Sequence, residues 1–541
     1  MSLKKNRLFS FAYWVLVSFF VISLFAYFAV KAIFDIYGQI TITPVLFHLT
    51  AGGESGVPWE VLKLFMPWVI KYAVSVALIC CLAWGFLTFD TISQALQWLF
   101  RCIAKIPGLL TINKFPTTLA VVVFLTVPAY WGHSIDRKLR VIEFFSQPES
   151  LWIEEHFARL KIPTSEASEK KGPNLIVLFL ESMEQGYVNE GVFTENLIPE
   201  LQAIRKEGVS FTGYRRTSGS AFTMDGMSAQ LLGIPVVASR IGLDIHGNKE
   251  GYGALLRNAP SIFNLLERQG WRTAAFTGAS ERFTMKGDFF RIHGVREVHS
   301  REYFNQNGFK EVGVYKGPWG YNDSFLYERL KEWLTDAGKG NSPFAVVMET
   351  VDTHTPEGFV LPGHVRFGDV RDAFVDSSRM AGNFIEWAKK QPWYENTVIY
   401  IAGDHPWQDW HETTLTRFTK ELPEREIFNV ILNSRATSVK AGEVIAIPGG
   451  WSAMDMAPTL LDAMGVPFES EFVNGKESAV HLGLGTSLFK AGDTTSGVKT
   501  WVSLEGEEVF SALRGYVWVE SIHQIPSGRL GNGMRILEQI S

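Results

Sequence analysis

The chain of 541 residues carries only three cysteines, Cys80, Cys81 and Cys102, and none follows residue 102. Everything C-terminal to that point therefore has no disulfide staples, no thiol nucleophile and no thiolate metal ligand. An excess of positive charge is lacking too. The net charge is −5 and no basic stripe runs through the sequence, which excludes the electrostatic footprint of a nucleic-acid-binding protein. No internal repeat or low-complexity tract occurs, so solenoid and disordered-tail architectures are set aside. Lys and Arg are also absent from Asp35 to Glu60.

Apolar residues are abundant, at 46% of the chain, and the excess sits at the front. The uncharged runs Leu8–Val30, Tyr72–Phe89 and Phe115–Gly132 each approach or exceed the roughly 18 residues that cross a bilayer core. They predict a membrane domain over residues 1–133, with spans at about 8–30, 66–89 and 115–132. The first run is too long for a signal-peptide core and lacks a small-residue cleavage site, so it reads as an anchor. Lys4, Lys5 and Arg7 precede the first run, and Arg101, Lys105 and Lys114 lie between the second and third. The positive-inside rule then puts the N-terminus inside and everything after about Ser134 outside. Lys71, near the second span, is expected to snorkel or face other helices. If the third run were a buried core helix instead, the remainder would lie on the other side.

Residues 134–171 read as a linker with an amphipathic helix around Leu151–Leu160, ending at Lys170-Lys171-Gly172-Pro173. From Asn174 to about Phe468 strand and helix patterns alternate, as in an α/β sheet. Helical patterns at Ile262–Gln269, Phe325–Trp333 and Met380–Lys390 precede strand patterns at Thr273–Phe276, 344–348 and 397–402, respectively. The catalytic domain is expected over 172–476. A small antiparallel appendage with short segments such as Thr500–Ser503 and Gly515–Glu520 is expected over 477–541.

Three apolar runs end in acidic or histidine residues. Asn174–Leu180 meets Glu181, Phe344–Met348 leads through Glu349 and Asp352 to His354, and Thr397–Gly403 ends at Asp404 and His405. Such runs read as parallel strands buried on both faces. Ligands of parallel sheets bind beyond the carboxyl ends of the strands, so these side chains are predicted to share one rim. A hydroxyl-rich loop, Thr217–Phe222, opens into a helical pattern near Thr223. A helix start offers free N–H groups to an anion. Thr223 is then either an N-cap or a nucleophile. The second reading requires a cation beside it, because an alcohol must be activated to react. Glu181, Asp404 and His405 could hold that cation. Taken one at a time, Glu181 reads equally as a helix cap and His354 as a satisfied loop histidine.

The ordered motifs Asn174–Ser182, the Thr223 loop ending in Gly233-Ile234-Pro235, Trp319–Asp323, Thr350–Pro356, Gly403-Asp404-His405 and Met454–Leu461 resemble the sulfatase-like transferases of the alkaline-phosphatase superfamily. Within that superfamily they are similar to lipoteichoic acid synthases and, more closely, to the membrane phosphoglycerol transferases that modify periplasmic glucans. The resemblance implies an α/β/α catalytic domain. It implies Glu181, Thr223, Asp404 and His405 as ligands of one divalent ion, Mn²⁺ first with Mg²⁺ or Zn²⁺ as alternatives. Thr223 would be the nucleophile of a phospho-threonine intermediate, and His354 would contact the substrate phosphate and assist proton transfer. The donor would be phosphatidylglycerol and the acceptor an envelope glycan or glycolipid. The enzyme would be a multi-pass protein of the bacterial inner membrane with its catalytic domain on the periplasmic or extracellular side.

Departures from the pattern matter as much. Where lipoteichoic acid synthases carry a Trp-x-Arg substrate pair, this chain has Thr284 and Lys286. Lys286 could neutralise a phosphate as a point charge, without the fork of Arg, or lie on a solvated surface. No Cys/Ser-x-Pro-x-Arg sequence occurs, which speaks against ordinary sulfatase activity. The missing cysteines speak against the disulfide-rich phosphoethanolamine transferases, which stay as an alternative together with a degenerate scaffold protein.

Overall fold

The computed structural model describes residues 157–163, 172–216, 222–234, 259–309, 316–354, 358–408 and 414–490 almost throughout, with short stretches before residue 143. The chain divides into two compact units, one of residues 1–42 and 61–147, the other of 43–60 and 148–541.

In the first unit residues 126–137 are helical, so the third apolar run continues as helix past the expected boundary at 133. The rings of Phe20 and Tyr27, from the first run, lie 5.2 and 5.7 Å from that of Trp131, from the third. Among the described residues no helix is long and apolar enough to cross a membrane. Most of the three expected spans, and the basic residues that orient them, lie outside the described residues.

The second unit is built on a six-stranded sheet. Its strands include β2 (Asn174–Leu180), β4 (Arg272–Thr277) and β5 (Glu297–His299). Ahead of these in the chain stands β1 (Ala158–Leu160), and β3 (Ser210–Tyr214) lies between β2 and β4. A short hairpin, β6 (Lys316–Gly317) and β7 (Gly320–Tyr321), precedes β8 (Phe344–Glu349), β9 (Thr397–Gly403) and β10 (Asn429–Leu432), and β11 (Val444–Trp451) pairs parallel with β3. The sheet order is β10-β9-β2-β8-β4-β5. Only β10 runs antiparallel to its neighbour. Every residue of β2, β8 and β9 is buried, which is why their sequences read as unbroken apolar runs.

On one face Ile176, Leu178 and Leu180 join the core formed with Leu326, Tyr327 and Leu330 of α2 (Asp323–Ala337) and Phe374, Phe384 and Ile385 of α3 (Arg371–Ala388). The other face carries Phe179 against Tyr400, ring centroids 6.4 Å apart. The Tyr400 hydroxyl donates to Gln230 Oε1 of α1 (Thr223–Leu232) at 2.6 Å. Helices on both faces of a mostly parallel sheet are the α/β arrangement the alternating pattern predicts.

One difference from the sequence concerns an edge. Residues 158–160, expected to end an amphipathic helix, form β1, which pairs antiparallel with β12 (Ser470–Phe472). Local periodicity cannot reveal a partner so distant in sequence. Beyond Glu477 the chain does form antiparallel pairs. In these, β13 (Glu477–Ser478) pairs with β12, and β14 (His481–Leu482) with β15 (Gly485–Thr486). These strands are tied to the catalytic unit, since Thr486 N–H donates to Asp455 Oδ1 at 2.8 Å. The segments Thr500–Ser503 and Gly515–Glu520 lie outside the described residues.

Candidate metal centre and nucleophile

The C-terminal ends of β2 and β9 are neighbours, Leu180 pairing with Gly403, so Glu181 and Asp404-His405 leave the sheet side by side. The backbone turns sharply there, with Ser182 at a left-handed φ of 54°. This is the kind of strained conformation that persists when surrounding contacts hold it. Asp404 Oδ1 accepts from Ser182 N–H at 2.8 Å and from His405 N–H at 2.9 Å. Ser182 Oγ donates to Glu181 Oε1 at 2.6 Å. From the next strand, Thr350 Oγ1 accepts from Glu181 N–H at 2.9 Å, and Thr353 Oγ1 donates to the Glu181 carbonyl at 2.6 Å.

Helix α1 closes the site from the other face. A Cβ on Gly226 would stand 2.0 Å from the Asp404 carbonyl oxygen, so only glycine lets the first turn of α1 press on that loop. Gln230 Nε2 pins the same helix by donating to the Gly403 carbonyl at 3.1 Å. Phe222 occupies the N-cap and makes no side-chain cap bond; Thr223 is the first helical residue. The N-cap reading of Thr223 therefore fails. Its hydroxyl donates to Glu181 Oε2 at 3.0 Å.

Glu181, Asp404 and His405 are 2%, 0% and 1% exposed. One donor atom from each lies within 4.8 Å of the others. Three features make this cluster fit a cation. Asp404 Oδ2 is buried and accepts no hydrogen bond, which would cost several kcal/mol for an unpaired carboxylate. His405 Nδ1 is 2.8 Å from the Pro406 carbonyl. A carbonyl can only accept, so Nδ1 carries the proton and Nε2 offers its lone pair, 3.5 Å from Glu181 Oε1 and 3.4 Å from Asp404 Oδ2. Burial also pushes the His405 pKa down, which keeps the ring neutral as a ligand must be.

The carboxylates complete the picture. Burial, then the neighbouring charge of Glu181, pushes Asp404 well above the ordinary range. Burial raises Glu181 as well, but the fields of His354 and His405 and the bonds from Ser182 and Thr223 outweigh it, and the net shift is down. Burial, ahead of the opposing effect of Lys286, raises Glu349. Glu349 is paired with Lys286, whereas Glu181 and Asp404 face each other with no lysine or arginine bonded to them among the described residues. Ionised, these two carry two negative charges, which one divalent ion would balance. The set of one imidazole and oxygen donors does not discriminate among Mn²⁺, Mg²⁺ and Zn²⁺.

The remaining expected residues fall in two places. His354 follows β8 with its ring centroid 3.9 Å from that of Trp319, and it is among the neighbours that lower the Glu181 pKa. Lys286 is 2% exposed, and its Nζ is bound to Glu349 Oε1. That excludes the solvated-surface reading; the ammonium still has two further N–H donors beside this bond. Glu349, Trp319 and Asp323 were visible in the sequence as strand-end and motif residues, but nothing there gave them partners. Asp323 accepts from Val351 N–H at 2.7 Å, and Asp352 accepts from Asp323 N–H at 2.9 Å. The two aspartates thereby fix the segment that leads to His354.

Fold and site together define an α/β protein with a hydroxyl at a helix start, set against a carboxylate–histidine cluster at the rim of a parallel sheet. The sulfatase family model matches residues 173–466, more than half of the sequence, and the chain belongs to that family. It is similar to phosphoglycerol transferase I of Xanthomonas axonopodis pv. citri (strain 306), 29% identical over 244 residues, 43% of this chain and 34% of that protein. It is also similar to phosphoglycerol transferase I of Escherichia fergusonii, 26% identical over 301 residues, 54% of this chain and 37% of that one. The matches span about a third of the length of these curated relatives. Among solved structures, an alkaline phosphatase superfamily protein from Vibrio parahaemolyticus aligns at a TM-score of 0.45 and 18% identity, covering 70% of this chain and 97% of that one. The lipoteichoic acid synthase LtaP from Listeria monocytogenes aligns at 0.45 and 16%, covering 69% and 97%.

Proposed function

We propose that this protein is a membrane-anchored, metal-dependent transferase. In this reading it moves a phosphoglycerol headgroup from phosphatidylglycerol to a hydroxyl of an envelope glycan or glycolipid. The observation that carries the proposal is the hydrogen bond from Thr223 Oγ1 to Glu181 Oε2, 3.0 Å, beside the Asp404–His405 pair. The relatives' names supply the headgroup, and the three apolar runs supply the anchor beside a lipid donor.

Glu181, Asp404, His405 and Thr223 would hold one divalent ion. Bound there, the ion supplies Lewis-acid polarisation of the phosphoryl oxygen and eases loss of the Thr223 proton. Thr223 Oγ then attacks phosphorus. The bond to the diacylglycerol oxygen breaks, diacylglycerol leaves with a proton, and glycerophosphate stays on Thr223. In the second half the acceptor hydroxyl attacks phosphorus and the Thr223 O–P bond breaks. His354, beside Trp319, is the group proposed to contact the phosphate and hand protons to the leaving oxygen and from the attacking one. Lys286, paired with Glu349, is proposed as a second contact to the phosphate, as a point charge. The catalytic unit would stand on the periplasmic or extracellular face of the inner membrane.

The test is incubation of the purified full-length protein with Mn²⁺ and headgroup-labelled phosphatidylglycerol or phosphatidylethanolamine. Headgroup release from phosphatidylglycerol that disappears in Thr223→Ala supports the proposal. Release from phosphatidylethanolamine alone turns it into a phosphoethanolamine transferase, and release from neither leaves a scaffold protein.

A further inference from the structure

Three residues after Glu181, the carboxylate of Glu184 is wholly buried and belongs to a network separate from the cluster itself. Arg425 reaches it through Nε to Oε2 at 2.6 Å and through Nη2 to Oε1 at 2.7 Å, a two-pronged charge-assisted pair. Both groups then grip Trp407. Glu184 Oε1 accepts from Trp407 N–H at 2.8 Å, and Arg425 Nη2 donates to the Trp407 carbonyl at 2.8 Å.

The Trp407 N–H belongs to the same peptide plane as the Pro406 carbonyl, and that carbonyl accepts the Nδ1 proton of His405 at 2.8 Å. A peptide unit is rigid and planar, so its two ends cannot turn independently. A carboxylate holding the N–H end therefore sets where the carbonyl end points. It also draws the peptide dipole into line, which strengthens the bond from Nδ1. The imidazole is thereby fixed in one tautomer, with Nε2 directed at Glu181 and Asp404. A carboxylate that orients a metal-ligating histidine usually touches its ring directly. Here one peptide unit stands between the two.

We propose that Glu184, held in place by Arg425, is a positioning residue for His405 and sets the affinity of the site for its metal ion through the Pro406–Trp407 peptide. This rests on the reading of Glu181, Asp404 and His405 as metal ligands. Because Glu184 and Arg425 lie on the loops after β2 and before β10, the same pair also ties the Glu181 turn to the loop that carries His405.

The test is a calorimetric titration of the full-length protein with Mn²⁺ alone, with the thermal midpoint of each metal-free variant measured alongside. Glu184→Gln keeps the size and an accepting oxygen but loses the charge, and it should weaken Mn²⁺ binding by roughly 10- to 100-fold. Arg425→Lys, which keeps the charge without the fork, should weaken Mn²⁺ binding by a smaller factor. Arg272→Met removes an ion pair with Glu297 at the opposite end of β4 and serves as the control for general destabilisation; it should leave Mn²⁺ affinity unchanged. A folded Glu184→Gln that binds Mn²⁺ as tightly as the wild type overturns the inference. So does an equal loss of affinity in Arg272→Met. If Glu184→Gln fails to fold, Arg425→Lys decides alone, and wild-type affinity in that variant overturns the inference. A wild-type chain that binds no Mn²⁺ overturns the metal reading underneath it, which is a different result.

Discussion

The ammonium of Lys286 and the carboxylate of Glu349 form an ion pair with both side chains 3% exposed, at the end of β8 and beside the Glu181 cluster. Breaking such a pair by removing one partner leaves a buried charge without compensation, at a cost of about 3–5 kcal/mol. Lys286→Met should therefore lower the free energy of unfolding by that order in denaturant titrations. Adding Glu349→Gln should restore most of it. If the ammonium also contacts the substrate phosphate, the same variant raises KM; unchanged stability would mean that the pair does not hold the fold.

Legibility in the sequence followed burial. β2, β8 and β9 are covered on both faces, so their apolar runs and the acidic residues that end them stood out. The meeting of Glu181 with Asp404 and His405 followed from the rule that sites lie beyond the strand ends. What depended on pairing across the fold did not show. β1 reads as one edge of a helix because its partner lies at 470–472. Nothing local shows that β8 delivers Glu349 to Lys286. The Glu184–Arg425 link joins residues 241 apart, and no local pattern marks it.

Thr223 carries the chemistry in the proposed reaction, yet its hydroxyl contributes a single hydrogen bond to the fold. Thr223→Ala should change unfolding free energy by no more than about 1–2 kcal/mol. Headgroup release should fall by at least roughly 10³-fold, as expected when a nucleophile is removed. Thr223→Ser keeps an oxygen at the same place and should retain measurable turnover. Equal loss in the Ser and Ala variants, or full activity in Ala, would remove the nucleophile role.

Without a cation, Asp404 is a buried carboxyl whose Oδ2 accepts no hydrogen bond and whose ionisation is disfavoured by burial and by Glu181. A cation at the cluster reverses that preference. Adding Mn²⁺ should raise the thermal midpoint of the wild type, by an increment near 2.7 kcal/mol at a hundredfold excess over Kd. Asp404→Asn should lose this increment and show little bound metal by elemental analysis. In chelator at pH 8 the same variant should melt at or above the wild type, since it has no buried charge to shed. A variant that melts below the wild type in chelator yet keeps its response to Mn²⁺ would contradict both halves.

Asp323 offers a prediction in pH. Burial, opposed by the N–H groups of Val351 and Asp352 and reinforced by the charges of Glu181 and Glu349, pushes its carboxyl from 3.8 up to about 7. The folded protein then holds a proton there that the unfolded chain has released across that window. That contribution to stability is complete below 3.8 and is lost as pH rises through about 7. Asp352, raised by burial and by Asp323, shares the behaviour as one titrating pair. The asparagine of Asp323→Asn is neutral at every pH. Measured by denaturant unfolding from pH 4 to pH 8, the stability of Asp323→Asn relative to the wild type should rise steadily and level off above about pH 7. A difference that stays constant over that range would mean that Asp323 is ionised throughout and that the segment leading to His354 is held by charge.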